Sequence, residues 1–108
     1  MDSYHSEQLD ALGDATRRAI LTRLANEGPL PVGKLARDFP MSRPAISQHL
    51  RILKRASLVT DHAAGTRRLY AVNPEAIASL RAYFDRFWTQ ALVAFKKRVE
   101  AEARKKTR

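Results

Sequence analysis

Two prolines decide how the middle of this chain can fold. Pro40 has no backbone N–H, and its ring clashes with a preceding helical turn, so the helix before it must end there. Pro44 lies just inside the start of the next helix, where a missing N–H costs nothing, and Ser42 offers its hydroxyl as the N-cap. Pro31 opens the earlier helix, whose apolar residues Val32, Leu35, Ala36 and Phe39 repeat at i, i+3, i+4, i+7. The second helix runs from Ser42 to about Ala56. Ala45, Ile46, His49, Leu50, Leu53 and Ala56 share its apolar face. Pro44, Ser47, Gln48, Arg51 and Arg55 share the other, with Arg43 and Lys54 at its margin and no acid among them. A short helix, a tight turn and a longer helix with one basic face make a helix–turn–helix over about 31–56.

The flanking sequence adds to this unit. Glu7–Leu12 reads as a short, weakly patterned helix ending near Gly13. Asp14 then caps a helix over Ala15–Asn26 that buries Ile20, Leu21 and Leu24 and stops at Gly28-Pro29. Leu58–His62 and Arg67–Val72 read as two strands joined by Ala63-Ala64-Gly65-Thr66, a hairpin wing over about 58–72. Asn73 caps a final helix over about 74–104, where Ile77, Leu80, Phe84, Phe87, Ala91, Phe95 and Val99 recur at three- and four-residue steps. The expected fold is mainly α with a small β-hairpin wing. It is a winged helix-turn-helix in one domain, 1–108, with extra N- and C-terminal helices for dimerisation.

The net charge is +9, and its placement matters more than its size. Residues 42–70 hold six bases (Arg43, Arg51, Lys54, Arg55, Arg67, Arg68) against Asp61 alone, and residues 96–108 hold seven bases against two acids. The rest of the chain is near neutral. A basic block of this kind on a folded domain points to a polyanionic partner. Other classes find no support. There is no cysteine, so thiolate metal sites and disulfides are excluded. No Ser–His–acid set, phosphate-binding glycine loop or paired carboxylates suggest an enzyme. The longest apolar run, Ala91–Phe95, is far too short to span a bilayer, and the polar start Met1-Asp2-Ser3-Tyr4-His5 does not resemble a secretory signal. A cytoplasmic location without membrane contact is expected.

A helix of this kind enters the DNA major groove with its N-terminal residues at the base edges. Arg43 and Arg51 suit guanine, Gln48 suits adenine, and Ser47 suits a base or a phosphate. The free N–H groups beside Ser42 favour a phosphate, and Arg67 or Arg68 reaches backbone or minor groove from the wing. The expected DNA-binding set is Ser42, Arg43, Pro44, Ser47, Gln48, His49, Arg51, Lys54, Arg55, Arg67 and Arg68. A winged-helix module for RNA or a protein partner is the alternative left open by the fold.

Asp14-Ala15-Thr16-Arg17-Arg18-Ala19-Ile20-Leu21, Leu35-Ala36, Ser42-Arg43-Pro44-Ala45-Ile46-Ser47-Gln48-His49-Leu50-Arg51-Ile52-Leu53, Leu58-Val59 and the hairpin Ala64-Gly65-Thr66-Arg67-Arg68-Leu69-Tyr70 together resemble the ArsR-type repressors over about residues 9–95. The Ser-x-Pro-Ala-Ile-Ser-x-His-Leu segment is the most specific part. The resemblance implies a homodimer that occludes a promoter, often its own, and is released by a signal, classically a metal ion; two-fold symmetry of such a dimer leads one to expect a near-palindromic operator in double-stranded DNA. It maps the recognition positions onto Ser42, Arg43, Ser47, Gln48, His49 and Arg51. The chain departs from the family's metal sensors. Where many carry Cys-x-Cys, it reads Pro31-Val32-Gly33-Lys34, and its last helix has Asp85 but no histidine.

The three histidines have no common ligand spacing. His49 is read mainly as a packing and hydrogen-bonding residue, with His5 and His62 solvated. Asp85 is read as ion-paired with Arg81 or Arg86. No metal site or cofactor is expected, and an unknown small-molecule effector remains open. A metal-responsive repressor is the alternative within the family, through His5 and Asp85 of a second subunit. Leu80, Phe84, Phe87, Trp88, Ala91 and Phe95 form the expected dimer seam, with a ligand pocket around Tyr83–Phe95 as the lesser reading. The tail Lys96–Arg108 is expected to be a frayed, solvated helix end.

Overall fold

The computed structural model describes residues 3–106. The elements are α1 Ser3–Ala11, α2 Ala15–Glu27, β1 Leu30–Pro31, α3 Val32–Asp38, α4 Arg43–Arg55, β2 Val59–Ala64, β3 Arg67–Val72 and α5 Pro74–Lys106. The chain forms two compact units, one ending at Ala78 and the other beginning at Ser79. The fold is the mainly helical, winged helix-turn-helix arrangement the sequence leads one to expect.

In the first unit, Ile20 and Leu24 of α2, Leu35 of α3, Ile46, Leu50 and Leu53 of α4, and Leu58 and Val59 are almost wholly excluded from water. Full burial of a Leu or Ile side chain contributes roughly 1.5–3 kcal/mol, so these few residues dominate the unit's stability. Asp14 caps α2 by accepting from the Arg17 N–H at 2.9 Å. Ser42 caps α4 by accepting from the Ala45 N–H at 3.3 Å. Gly28, at φ 84, ends α2. Leu21, expected in the core, is only half-buried.

Three local expectations need correction. First, α1 begins at Ser3 rather than Glu7. Its inward stripe is His5, Gln8 and Ala11, so two of three buried positions are polar and the apolar periodicity is faint. Second, the wing turn contains two residues, not four. Ala63 and Ala64 pair with Arg68 and Arg67, leaving Gly65 at φ 64 and Thr66 to turn the chain. Third, the sheet has three antiparallel strands in the order β1-β3-β2. Leu30 and Pro31 pair with Tyr70 and Leu69. Pro31 is tolerated because β1 is an edge strand. A two-residue strand paired across some 40 positions leaves no local alternation to read.

The second unit consists of α5 from Ser79 onward. It stays helical to Lys106, so the basic stretch is an ordered, exposed helix rather than a frayed end. Thr107 and Arg108, like Met1 and Asp2, lie outside the described residues. No described helix is long and apolar enough to cross a membrane.

Candidate nucleic-acid interface

The apolar side of α4 is fixed by Ile46, Leu50 and Leu53, each fully buried. Helical geometry then sends Arg43, Pro44, Gln48, Arg51, Lys54 and Arg55 outward, and all six are exposed. Ser47 is half-buried. Core packing therefore orients the polar face, and no carboxylate of α4 competes with it. Ser42 is exposed, with its hydroxyl already engaged in the cap. Arg51 donates through its guanidinium to the Gln48 side-chain carbonyl one turn earlier. The two side chains are thus held side by side, as a paired donor-acceptor display.

His49 lies on the inner flank of this helix. Its Nδ1 is 3.4 Å from the Arg17 guanidinium and 3.9 Å from the Asp14 carboxylate. A guanidinium only donates, so Nδ1 is the acceptor in this pair. Arg17 also donates through Nε to the Ala11 carbonyl at 2.6 Å. His49 therefore ties α4 to the α1–α2 junction, in keeping with its reading as a packing and hydrogen-bonding residue. The backbone N–H of Arg17 holds the Asp14 carboxyl below its usual range, with further help from the Arg17 charge.

The wing is joined to α4 by a carboxylate that sequence reading passed over. Asp61 on β2 accepts from Lys54 Nζ at 2.7 Å through one oxygen and from Arg68 Nε at 2.8 Å through the other. Its side chain is only 7% exposed. Lys54, followed by Arg68, pushes its pKa below the ordinary carboxylate value. The lone acid of the basic block was visible as a composition anomaly, but its two partners depend on hairpin register. Arg67, at the wing tip, is exposed, and its side chain makes no ion pair or hydrogen bond among the described residues.

On α5, Phe84, Phe87, Trp88, Ala91 and Phe95 are exposed, Trp88 at 58% and Phe95 at 65%. Leu92 and Val99 extend the same helical face, and Leu92 had escaped the three-and-four-residue pattern. Leu80 differs from the rest of the expected seam, being 6% exposed.

Two expectations about lone ionisable groups fail. His5 is 6% exposed and packs edge-on to Tyr4 at 5.3 Å, so it is not solvated. Asp85 forms no ion pair with Arg81, one turn earlier, or with the adjacent Arg86. His62 is exposed, as expected. Among the described residues, no three of His, Asp and Glu cluster closely enough to hold a metal ion.

Residues 12–62 match a helix-turn-helix domain family. The chain is 54% identical over 104 residues to the HTH-type transcriptional regulator Rv2034 of Mycobacterium tuberculosis, covering 94% of this chain and 96% of that protein. It is 43% identical over 63 residues to the transcriptional repressor SdpR of Bacillus subtilis, covering 58% and 69% of the two chains. Its fold is similar to a solved homodimeric winged helix-turn-helix DNA-binding domain from Mycobacterium bovis, a possible ArsR-family regulator. That likeness has a TM-score of 0.66 at 28% identity, over 82% of this chain and 81% of that one. With its capped α4, its three-stranded wing and these relatives, the chain belongs to the ArsR-type family of winged helix-turn-helix transcriptional regulators.

Proposed function

We propose that this regulator is a homodimeric repressor that binds a near-palindromic operator, with α4 in the major groove and the wing beside it. The observation that carries this reading is the outward face of α4. Six exposed positions, four of them cationic, are presented by a helix whose orientation is fixed by three fully buried residues. Such a rigid, acid-free, basic helix suits the major groove, which admits one α-helix and rewards bidentate donors.

Within that reading, Gln48 and Arg51 address base edges. Arg43, Ser42, Pro44 and Ser47 surround the N-terminal entry of the helix, and Lys54, Arg55, Arg67 and Arg68 neutralise backbone phosphates. The second copy docks on the apolar face of α5. Phe84, Phe87, Trp88, Ala91 and Phe95 form that seam, with Leu92 and Val99 beside them, because an aromatic patch this exposed marks a partner surface. A two-fold dimer sets half-sites about 34–36 Å apart, or a multiple of that spacing.

The test is a binding measurement on a site selected from the DNA upstream of the protein's own gene, with random duplex and structured RNA as competitors. Gln48→Ala and Arg51→Ala are each expected to cost about 1–3 kcal/mol on the selected site and little on random duplex. Equal weakening on both would make these residues phosphate contacts. Preference for the RNA competitor would overturn the DNA reading itself.

A further inference from the structure

The first unit contains a groove of about 470 Å³ between α3, the start of α4 and the wing. Five cations line it, Lys34, Arg37, Arg43, Arg67 and Arg68, together with Tyr70, and no acid does. Its size is that of a small-ligand cleft, but such clefts are walled mainly by apolar side chains. Here half of the lining residues carry charge, all of one sign.

Nearby carboxylates compensate only part of that charge. Asp61 engages Arg68 at 2.8 Å. Asp38 lies 4.0 Å from Lys34 and is also engaged by Arg23 at 2.5 Å. The side chains of Arg37, Arg43 and Arg67 make no hydrogen bond or close ion pair among the described residues. Asp38, already shared by Arg23 and Lys34, offsets Arg37 only in part, so the guanidinium groups that converge on the groove repel one another, and an anion bound among them would remove that repulsion. A guanidinium also pairs with two phosphate oxygens at once. The cations come from α3, the start of α4 and the wing, a spread that suits consecutive phosphates along a strand better than a single small ion.

We propose that this groove is a phosphate-binding site in which Lys34 and Arg37 of α3 act together with Arg43 and Arg67. It extends the polyanion-binding surface beyond α4 and the wing to α3. The proposal rests on the DNA reading for its main source of phosphate, the backbone of the duplex, and adds Lys34 and Arg37, which no motif had marked. Backbone contacts of this kind carry no sequence information, so the site can be tested without knowing the operator.

The test compares the parent, Lys34→Gln/Arg37→Gln, and the charge-matched Lys96→Gln/Lys97→Gln on a random 20-base-pair duplex. Affinity is measured between about 50 and 200 mM salt. Circular dichroism checks that each variant is folded. The expected result is a log K against log salt slope smaller by about two units in the α3 variant, with the α5 variant unchanged. A parental slope in the α3 variant overturns the groove while leaving the DNA reading intact, and so does an equal loss in the α5 variant.

A second arm follows thermal unfolding in pyrophosphate against chloride at equal ionic strength. If the parent binds no duplex, yet pyrophosphate raises its Tm and not that of the α3 variant, the groove stands with a free phosphate compound as its ligand. If the parent binds no duplex and pyrophosphate does not raise its Tm, or raises that of the α3 variant equally, the groove is overturned.

Discussion

At the residue scale, Asp61 shows how one acid organises a basic surface. It takes Lys54 of α4 and Arg68 of β3 on separate oxygens, and so fixes two mobile cations at a set spacing. Both cations favour the ionised form, so the folded protein holds this carboxyl below its ordinary pKa. Its contribution to stability is complete above the unfolded value of about 3.9 and disappears as pH falls through the lower folded value. Asp14 and Asp38 are depressed in the same direction, by the Arg17 N–H and by the Arg23 guanidinium. Chemical denaturation at a series of pH values should therefore show the parent losing stability from about pH 5 to 2. Asp61→Asn should lose distinctly less over that range, since it keeps only the other two carboxylates. Superimposable pH profiles would mean that the Lys54–Asp61–Arg68 cluster adds no net stability.

At the scale of elements, the end of α4 is a designed stop made from an unfavourable residue. The Leu58 N–H bonds the Leu53 carbonyl at 3.0 Å and the Ser57 N–H bonds that of Lys54 at 2.9 Å, a Schellman closure. Ser57 occupies its left-handed position at φ 64, where glycine is preferred. Asn73 then stitches this end to α5. Its side-chain amide donates to the Ser57 carbonyl at 2.9 Å, its backbone N–H to that of Leu58, and its side-chain oxygen accepts from the Glu75 N–H. Left-handed backbone costs a side-chain-bearing residue roughly 1–2 kcal/mol, partly offset by the greater freedom glycine has when unfolded. Ser57→Gly should therefore stabilise the protein by roughly 0.5–1 kcal/mol, seen as a higher Tm with unchanged DNA affinity. A lower Tm would show that the serine hydroxyl contributes more than its backbone strain costs.

At the scale of the whole molecule, α5 leaves an apolar face that the single chain does not cover. Phe87 and Phe95 stand at 53% and 65% exposure, and a second copy buries such a face most simply because the same surface serves both partners. Light scattering at micromolar concentration should report a dimer for the parent and a monomer for Phe87→Asp/Phe95→Asp. The double variant should also lose most operator affinity, because each half-site is then bound alone. A parental dimer in that variant would move the interface elsewhere, and a monomeric parent would remove it.

The sequence by itself determined the elements and their punctuation. Pro40, Ser42 and Pro44 set the helix–turn–helix, Asp14 and Asn73 set two helix starts, and the spacing of Ile46, Leu50 and Leu53 settled which side of α4 faces water. These are local effects of missing donors, caps and helical period, and they are readable within a few residues. The position of the basic block on that exposed side was legible for the same reason. Tertiary structure alone decided the rest. Antiparallel register put Leu30 and Pro31 beside Tyr70 and Leu69, and placed Asp61 between Lys54 and Arg68. Packing buried His5 and Gln8 on a helix with almost no apolar pattern. The groove that gathers Lys34, Arg37, Arg43 and Arg67 draws on residues up to 39 positions apart, from Pro31 to Tyr70. Charge meets charge there only after the chain has folded, and no local periodicity encodes a meeting across that distance.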